Sequence, residues 1–136
     1  MNLAGDLDAD GTYSQTGGTT TFDGADQGIN PGSGTYYTVI MGGSGTKTFN
    51  TSGMDVNNNF TINAGVTVDF STFTHNFAND WTNNGNEIMA SGTFLFDGTV
   101  EQDLTVGATD RSFPGPASVP PQDPVYHLKY SPEPPV

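Results

Sequence analysis

The sequence predicts an all-β fold: a right-handed parallel β-helix, or β-solenoid, of about five coils, with an antiparallel β-sandwich as the competing architecture. Three observations lead there. Apolar residues arrive in short alternating bursts, TTTFDG, TYYTVIM, NFTINAGVTVDF and GTFLFDG, rich in Thr, Val, Phe and Tyr and bounded by Gly, Asn and Asp; this is the pattern of strands and turns. No stretch of a dozen residues keeps a helical period without a glycine breaking it. Similar segments also recur about 21 residues apart, the length of one strand-and-turn rung of a solenoid.

The recurrences define the elements in order. LAGDLDADGTYSQTGGTTTFDG from Leu3 lies over FANDWTNNGNEIMASGTFLFDG from Phe77 at an offset of 74 residues. This sets Leu3 on Phe77, Leu7 on Trp81, Gly11 on Gly85 and Phe22 on Phe96, and one inserted residue later Gln27 of DQGI meets Gln102 of EQDL. Inside that span, VNNNFTINAG from Val56 falls over FANDWTNNG at an offset of 21, with Val56 on Phe77 and Phe60 on Trp81. One such unit cannot bury its apolar face alone, but stacked units align inward side chains into ladders. Leu3, Leu7, Phe22, Val56, Phe60, Phe77, Trp81 and Phe96 are the expected core ladder. An offset of 74 residues is about three and a half coils, so one or two longer coils are expected, with GADQGINPGSG and MGGSG supplying loops.

Composition restricts function. At 136 residues the chain has room for one modest core, burying about two-thirds of its unfolded surface. Only Lys47, Arg111 and Lys129 are cationic against fifteen acidic residues, a net charge of −12. Nucleic acid, anionic lipid and acidic polysaccharide are poor partners for a surface with so few cations. Cysteine is absent, which removes disulfides and thiolate metal sites. No apolar run approaches the roughly 20 residues of a membrane span, and the N-terminus lacks the basic and apolar regions of a signal peptide. If the chain is exported, it is expected to be a mature product or a piece of something longer.

NFTINAG, NDWTNNG, SGTFLFDG with the following Gln102, and GSGTKTF resemble the tandem repeats of large secreted bacterial surface proteins. The resemblance covers about residues 1 to 106. It implies a β-solenoid, export to the extracellular space or cell surface, and a role as adhesin, stalk or scaffold, with no catalytic residues to carry over.

Candidate sites are few. DLDADG places Asp6, Asp8 and Asp10 at alternate positions before Gly11, as a calcium loop begins. Position 12 of such a loop is Gly17 here instead of a bidentate Glu, and the sister segments DWTNNG and NFTINAG carry fewer carboxylates. Turn formation by Asp and Asn side chains explains the run equally well, so calcium is the one cofactor to test. Asp23, Asp26, Asp97 and Glu101 are the carboxylates from which a glycosidase-like pair would be drawn, but Asp23 and Asp97 are the repeated Asp of FDG and read as turn residues. His75 and His127 lack a spaced partner and read as packing or surface residues. Tyr36 and Tyr37 point to opposite faces of one strand, so only one can be buried. Asn50 and Asn59 match glycosylation acceptors, a frequent coincidence in so Asn- and Thr-rich a chain.

The composition changes at Arg111. A solenoid domain, 1–110, gives way to a tail, 111–136, holding eight of the nine prolines. Proline removes backbone donors, so this stretch cannot continue a sheet interior. The plain reading of so Pro-rich a terminus is a disordered linker; the sharper one takes VYHLKY as one strand over 125–130, with Val125, Tyr126, Leu128 and Tyr130 the residues through which the tail would pack on the β-domain or dock on another subunit.

The reading that follows is a non-enzymatic extracellular structural protein, a β-repeat building block of a stalk, layer or filament that associates with itself end to end. The runner-up is a carbohydrate-binding or adhesin module assisted by calcium.

Overall fold

The computed structural model describes residues 1–86, 88–106 and 126–130. The chain winds through three parallel sheets, visiting each in turn, to make a β-solenoid of about five coils. The first coil comprises β1 (Asn2–Leu3), β2 (Leu7–Asp8) and β3 (Thr12–Ser14), and the second β4 (Thr19–Phe22), β5 (Gln27–Asn30) and β6 (Ser33–Tyr36). The third is β7 (Thr38–Met41), β8 (Gly45–Phe49) and β9 (Asp55–Val56), and the fourth β10 (Phe60–Ile62), β11 (Val66–Ser71) and β12 (Thr74–Phe77). The fifth is β13 (Trp81–Asn83), β14 (Met89–Ala90) and β15 (Thr93–Phe96). Then β16 (Gln102–Val106) returns to the first sheet, where β17 (Tyr126–Tyr130) pairs with it antiparallel.

The first sheet runs β1-β4-β7-β10-β13-β16-β17, the second β14-β11-β8-β5-β2 and the third β15-β12-β9-β6-β3. Alternation along each strand sends one set of side chains inward, and parallel pairing stacks that set coil upon coil. Val39, Phe60, Trp81 and Leu104 form one such ladder in the first sheet, and Tyr36, Val56, Phe77 and Phe96 another in the third. Aromatic rings meet across the interior: Phe70 and Phe94 have centroids 4.6 Å apart, Phe60 and Phe77 5.1 Å, Phe77 and Phe94 5.3 Å. Phe22, Val56, Phe60, Phe77 and Trp81 are buried, while Leu3, Leu7 and Phe96 pack partly buried against them.

The offset of 21 is one coil, since Phe60 pairs with Trp81 and Thr61 with Thr82. The offset of 74 has a different origin. Leu3 lies in the first sheet of the first coil and Phe77 in the third sheet of the fourth, and Phe22 and Phe96 differ in the same way. The shift is three coils and two further faces, so the aligned segments occupy non-equivalent sides of the solenoid. No long coil is needed: rungs are 19 residues apart at Thr19 and Thr38 and 23 apart at Trp81 and Leu104. GADQGINPGSG, expected as loop, contains β5 and the start of β6.

Corners require close backbone approach. Gly43 has φ +70°, and a Cβ there would lie 2.2 Å from the Gly24 carbonyl oxygen of the coil before. Among the described residues Ser71 is the non-glycine residue with positive φ, 56°. Its N–H donates to Asp69 Oδ1 at 2.9 Å, and its carbonyl accepts from Ser91 and Gly92 at the register shift between β11 and β14.

The boundary at residue 110 and most of the tail lie outside the described residues, as does Val125. The strand expected over 125–130 is present as Tyr126–Tyr130, added to the chain's own first sheet through pairs from Gln102 with Tyr130 to Val106 with Tyr126.

Candidate functional site

The corner segments that align in the sequence share one hydrogen-bonding device. Gln27 is buried, and its amide donates to the carbonyls of Leu3 and Gly5, at 2.9 and 2.5 Å, while its Oε1 accepts from Gly24 N–H. Gln102 repeats this three coils and two faces further on: its amide donates to Phe77 O at 2.9 Å and Asn79 O at 2.5 Å, and its Oε1 accepts from Gly98 N–H. Asp6 and Asp80 complete the two copies by accepting from the backbone N–H of Gly28 and Asp103 in the following coil. The pairing of Leu3 with Phe77 and Gln27 with Gln102 in the sequence is thus an identity of corner structure.

Lys47 fills the same role at another corner. It stands in register with Gln27, is fully buried, and its ammonium donates to Gly24 O and Ala25 O at 2.6 Å and Ser44 O at 3.1 Å. Burial lowers its pKa, opposed by the charges of Asp26 and Asp23. Nothing in the sequence pattern set Gln27, Lys47 and Gln102 apart as interior residues; only the glutamine-on-glutamine match hinted at it.

His75 is also buried. Its Nδ1 accepts from Met54 N–H at 3.2 Å and its Nε2 lies 3.0 Å from the Phe70 carbonyl, an arrangement that requires the neutral, Nε2-protonated ring. Burial pulls its pKa from 6.5 to about 4, against the Phe70 hydrogen bond. Phe49, Phe70 and Phe94 meet the ring edge-on. Of the tyrosine pair, Tyr36 is the buried member; its hydroxyl donates to Pro31 O at 3.1 Å and burial pushes its pKa up to about 12.

The outer face of the second sheet carries surface depressions. One, of about 430 Å³, is lined by Asp6, Asp26, Gln27, Gly28, Thr46, Thr48 and Asn50. Gly28 leaves its floor open, and Asn50 leans over it so closely that a Cβ at position 28 would sit 2.7 Å from Asn50 Nδ2. An adjoining depression of about 240 Å³ includes Asp8, Asn30 and Thr51. Asp8 Oδ1 accepts from Asn30 Nδ2 at 2.7 Å, and Thr51 Oγ1 donates to Asn30 Oδ1, a chain of side chains across three coils. Asp10 lines a third depression with Asn30, Gly32 and Ser33. Asp6 and Asp8 therefore border the trough of the second sheet while Asp10 lines the neighbouring depression at the corner, and among the described residues no group of three His, Cys, Asp or Glu side chains gathers closely enough to hold a metal ion. Asp26 Oδ1 accepts from Thr46 N–H at 2.8 Å. Asp97 acts on Asp55, whose pKa is raised by burial first and by that neighbouring charge second.

No family model, curated protein or solved structure matches the chain. Among the described residues no helix is long and apolar enough to cross a membrane.

Proposed function

We propose that the chain is a non-enzymatic building block of an extracellular or cell-surface stalk, layer or filament, joined to further copies through its strand edges. The supporting observation is the set of open edges. β1, β2 and β3 each pair on one side only, as do β14 and β15 at the other end. Unpaired edges offer rows of backbone donors and acceptors to another chain, and contact between unlike ends of identical units propagates as a filament. Leu3, Leu7 and Tyr13, partly buried on the first coil, offer apolar surface for such a contact. At the C-terminal side β17 occupies the edge of the first sheet, so a neighbour there meets β14 and β15, or takes β17 in exchange. Negative-stain microscopy of the purified chain tests this: linear particles are expected, and a field of uniform single units contradicts it.

A second reading rests on the trough of the second sheet. Its neighbouring Asp, Asn and Thr side chains suit the hydroxyls of a neutral oligosaccharide. Glycan-array binding that is lost in Gly28→Leu, which fills the floor of the trough, supports this reading; an array without signal removes it.

A further inference from the structure

The winding order of the strands restricts how two copies can meet. Each parallel strand pairs with the one three places further along the chain, so β1 to β16 form one continuous ribbon. Among the described residues that ribbon has sixteen strands, which is five coils and one extra face. One end therefore opens on β1, β2 and β3, in the first, second and third sheets. The other opens on β14 in the second sheet, β15 in the third and β16 in the first. A next copy stacked without rotation sets its β1 on β16. Its β2 and β3 then face β14 and β15 across a vacant rung, at about twice the 4.8 Å or so of strand pairing. Turned by one face, the same copy closes all three edges at once: its β1 continues β14, its β2 continues β15 and its β3 continues β16.

The corners are compatible with such a turn. Gln27 on the second sheet and Gln102 on the first make the same set of hydrogen bonds, so a corner of this chain is not tied to one side of the coil. Building on the end-to-end association proposed above, we infer that successive copies are rotated by one face, a third of a turn, and that β17 is a cap which the incoming copy displaces. β17 lies antiparallel on β16, from Gln102 with Tyr130 to Val106 with Tyr126, and this is the edge that β3 of the next copy requires. The cap covers one sheet edge, whereas a neighbouring copy covers three. Until a neighbour docks, β17 shields the backbone groups of β16 from unspecific pairing.

Engineered thiols test the contact, since the chain has no cysteine of its own. Thr105 lies on β16, and Thr12 and Ser14 are exposed on β3. Within one copy β3 and β16 stand about 20 Å apart along the coil axis, beyond the roughly 7 Å that a disulfide spans between Cα atoms. Oxidation of Thr105→Cys with Ser14→Cys, or with Thr12→Cys for the register two residues away, is expected to give a ladder of covalent multimers on a non-reducing gel. Thr105→Cys with Asn2→Cys, the pair for unrotated stacking, is expected to give no ladder. Thr105→Cys with His127→Cys, partners in the β16–β17 register, locks the cap when oxidised; that chain is expected to sediment as a single species and to associate again on reduction. Circular dichroism of the reduced variants, matched to the wild type, keeps the comparison among folded chains. A ladder from the Asn2 pair overturns the inference but leaves end-to-end association standing. Wild-type association without a ladder from either β3 pair does the same, as does association undiminished with β17 locked. A wild-type chain that stays single at every concentration overturns the association itself, and the inference with it.

Discussion

His75 and Lys47 show how ionisable groups are accommodated inside the coil, each by a different arrangement. His75 is kept neutral, with its pKa held near 4 against an ordinary 6.5. The unfolded chain then takes up a proton at 6.5 that the folded chain refuses until about 4, so stability declines as pH falls through that window, by roughly 3 kcal/mol in all. His75→Phe, which keeps the ring but not the titration, is expected to flatten that part of a pH–stability curve measured by urea unfolding. It should also lower stability at neutral pH by about 1–3 kcal/mol, because Met54 N–H loses its acceptor. Asp55, whose pKa is raised, acts with the opposite sign, its native carboxylate becoming easier to protonate as pH falls. Lys47 stays with three carbonyl oxygens around its ammonium. Lys47→Gln reproduces the residue that Gln27 and Gln102 use at like corners and should hold stability to within about 1 kcal/mol, whereas Lys47→Ala strands buried carbonyls and should cost about 3 kcal/mol or more. Thermal denaturation of the two variants distinguishes them. Lys47 and Gln27 were not legible in the sequence as interior, because a lone Lys or Gln in a polar, Gly-rich run looks like surface; what places each inside is a carbonyl pair some 22 residues away.

At the scale of the strand and its corner, much was legible. Alternation marked TTTF, TVIM, FTI and VTVDF as strands, the repeat put Phe22 and Phe60 in the interior, and the 21-residue offset set the rung that pairs Phe60 with Trp81. Faces were not legible. The corner motif serves at more than one side of the solenoid, and side-chain alternation is the same in all three sheets, so nothing local told Leu3 from Phe77 by sheet. Two substitutions probe the corners and the core. Gly43→Ala combines an unfavourable positive φ with a Cβ 2.2 Å from Gly24 O, and is expected to lower the melting temperature sharply, since the obstacle is backbone that cannot move aside. Trp81 packs against Phe60, Phe77 and Phe94; Trp81→Ala should cost about 3–5 kcal/mol, and Trp81→Asp should abolish cooperative unfolding followed by far-ultraviolet circular dichroism. Survival of the fold in Trp81→Asp contradicts the ladder.

For the whole molecule, charge and open edges act against each other. A net charge of −12 keeps copies apart at low ionic strength, and salt screens it over about 10 Å at 0.1 M. The edges at β1–β3 and at β14 and β15 favour contact once that repulsion is damped. The opening acidic run, Asp6, Asp8 and Asp10, belongs to this balance: Asp6 and Asp8 border the trough on the first coil, where they already accept hydrogen bonds from Gly28 and Asn30. Calcium is expected to leave the melting temperature of the wild type unchanged, and a rise that vanishes in Asp8→Asn, Asp10→Asn would establish a cation site instead. The most direct test of the structural role is sedimentation velocity of the full chain at physiological salt over a wide range of concentration. Association through the strand edges predicts a sedimentation coefficient that climbs with concentration without levelling at a dimer. A single species of 14.3 kDa at every concentration would contradict it.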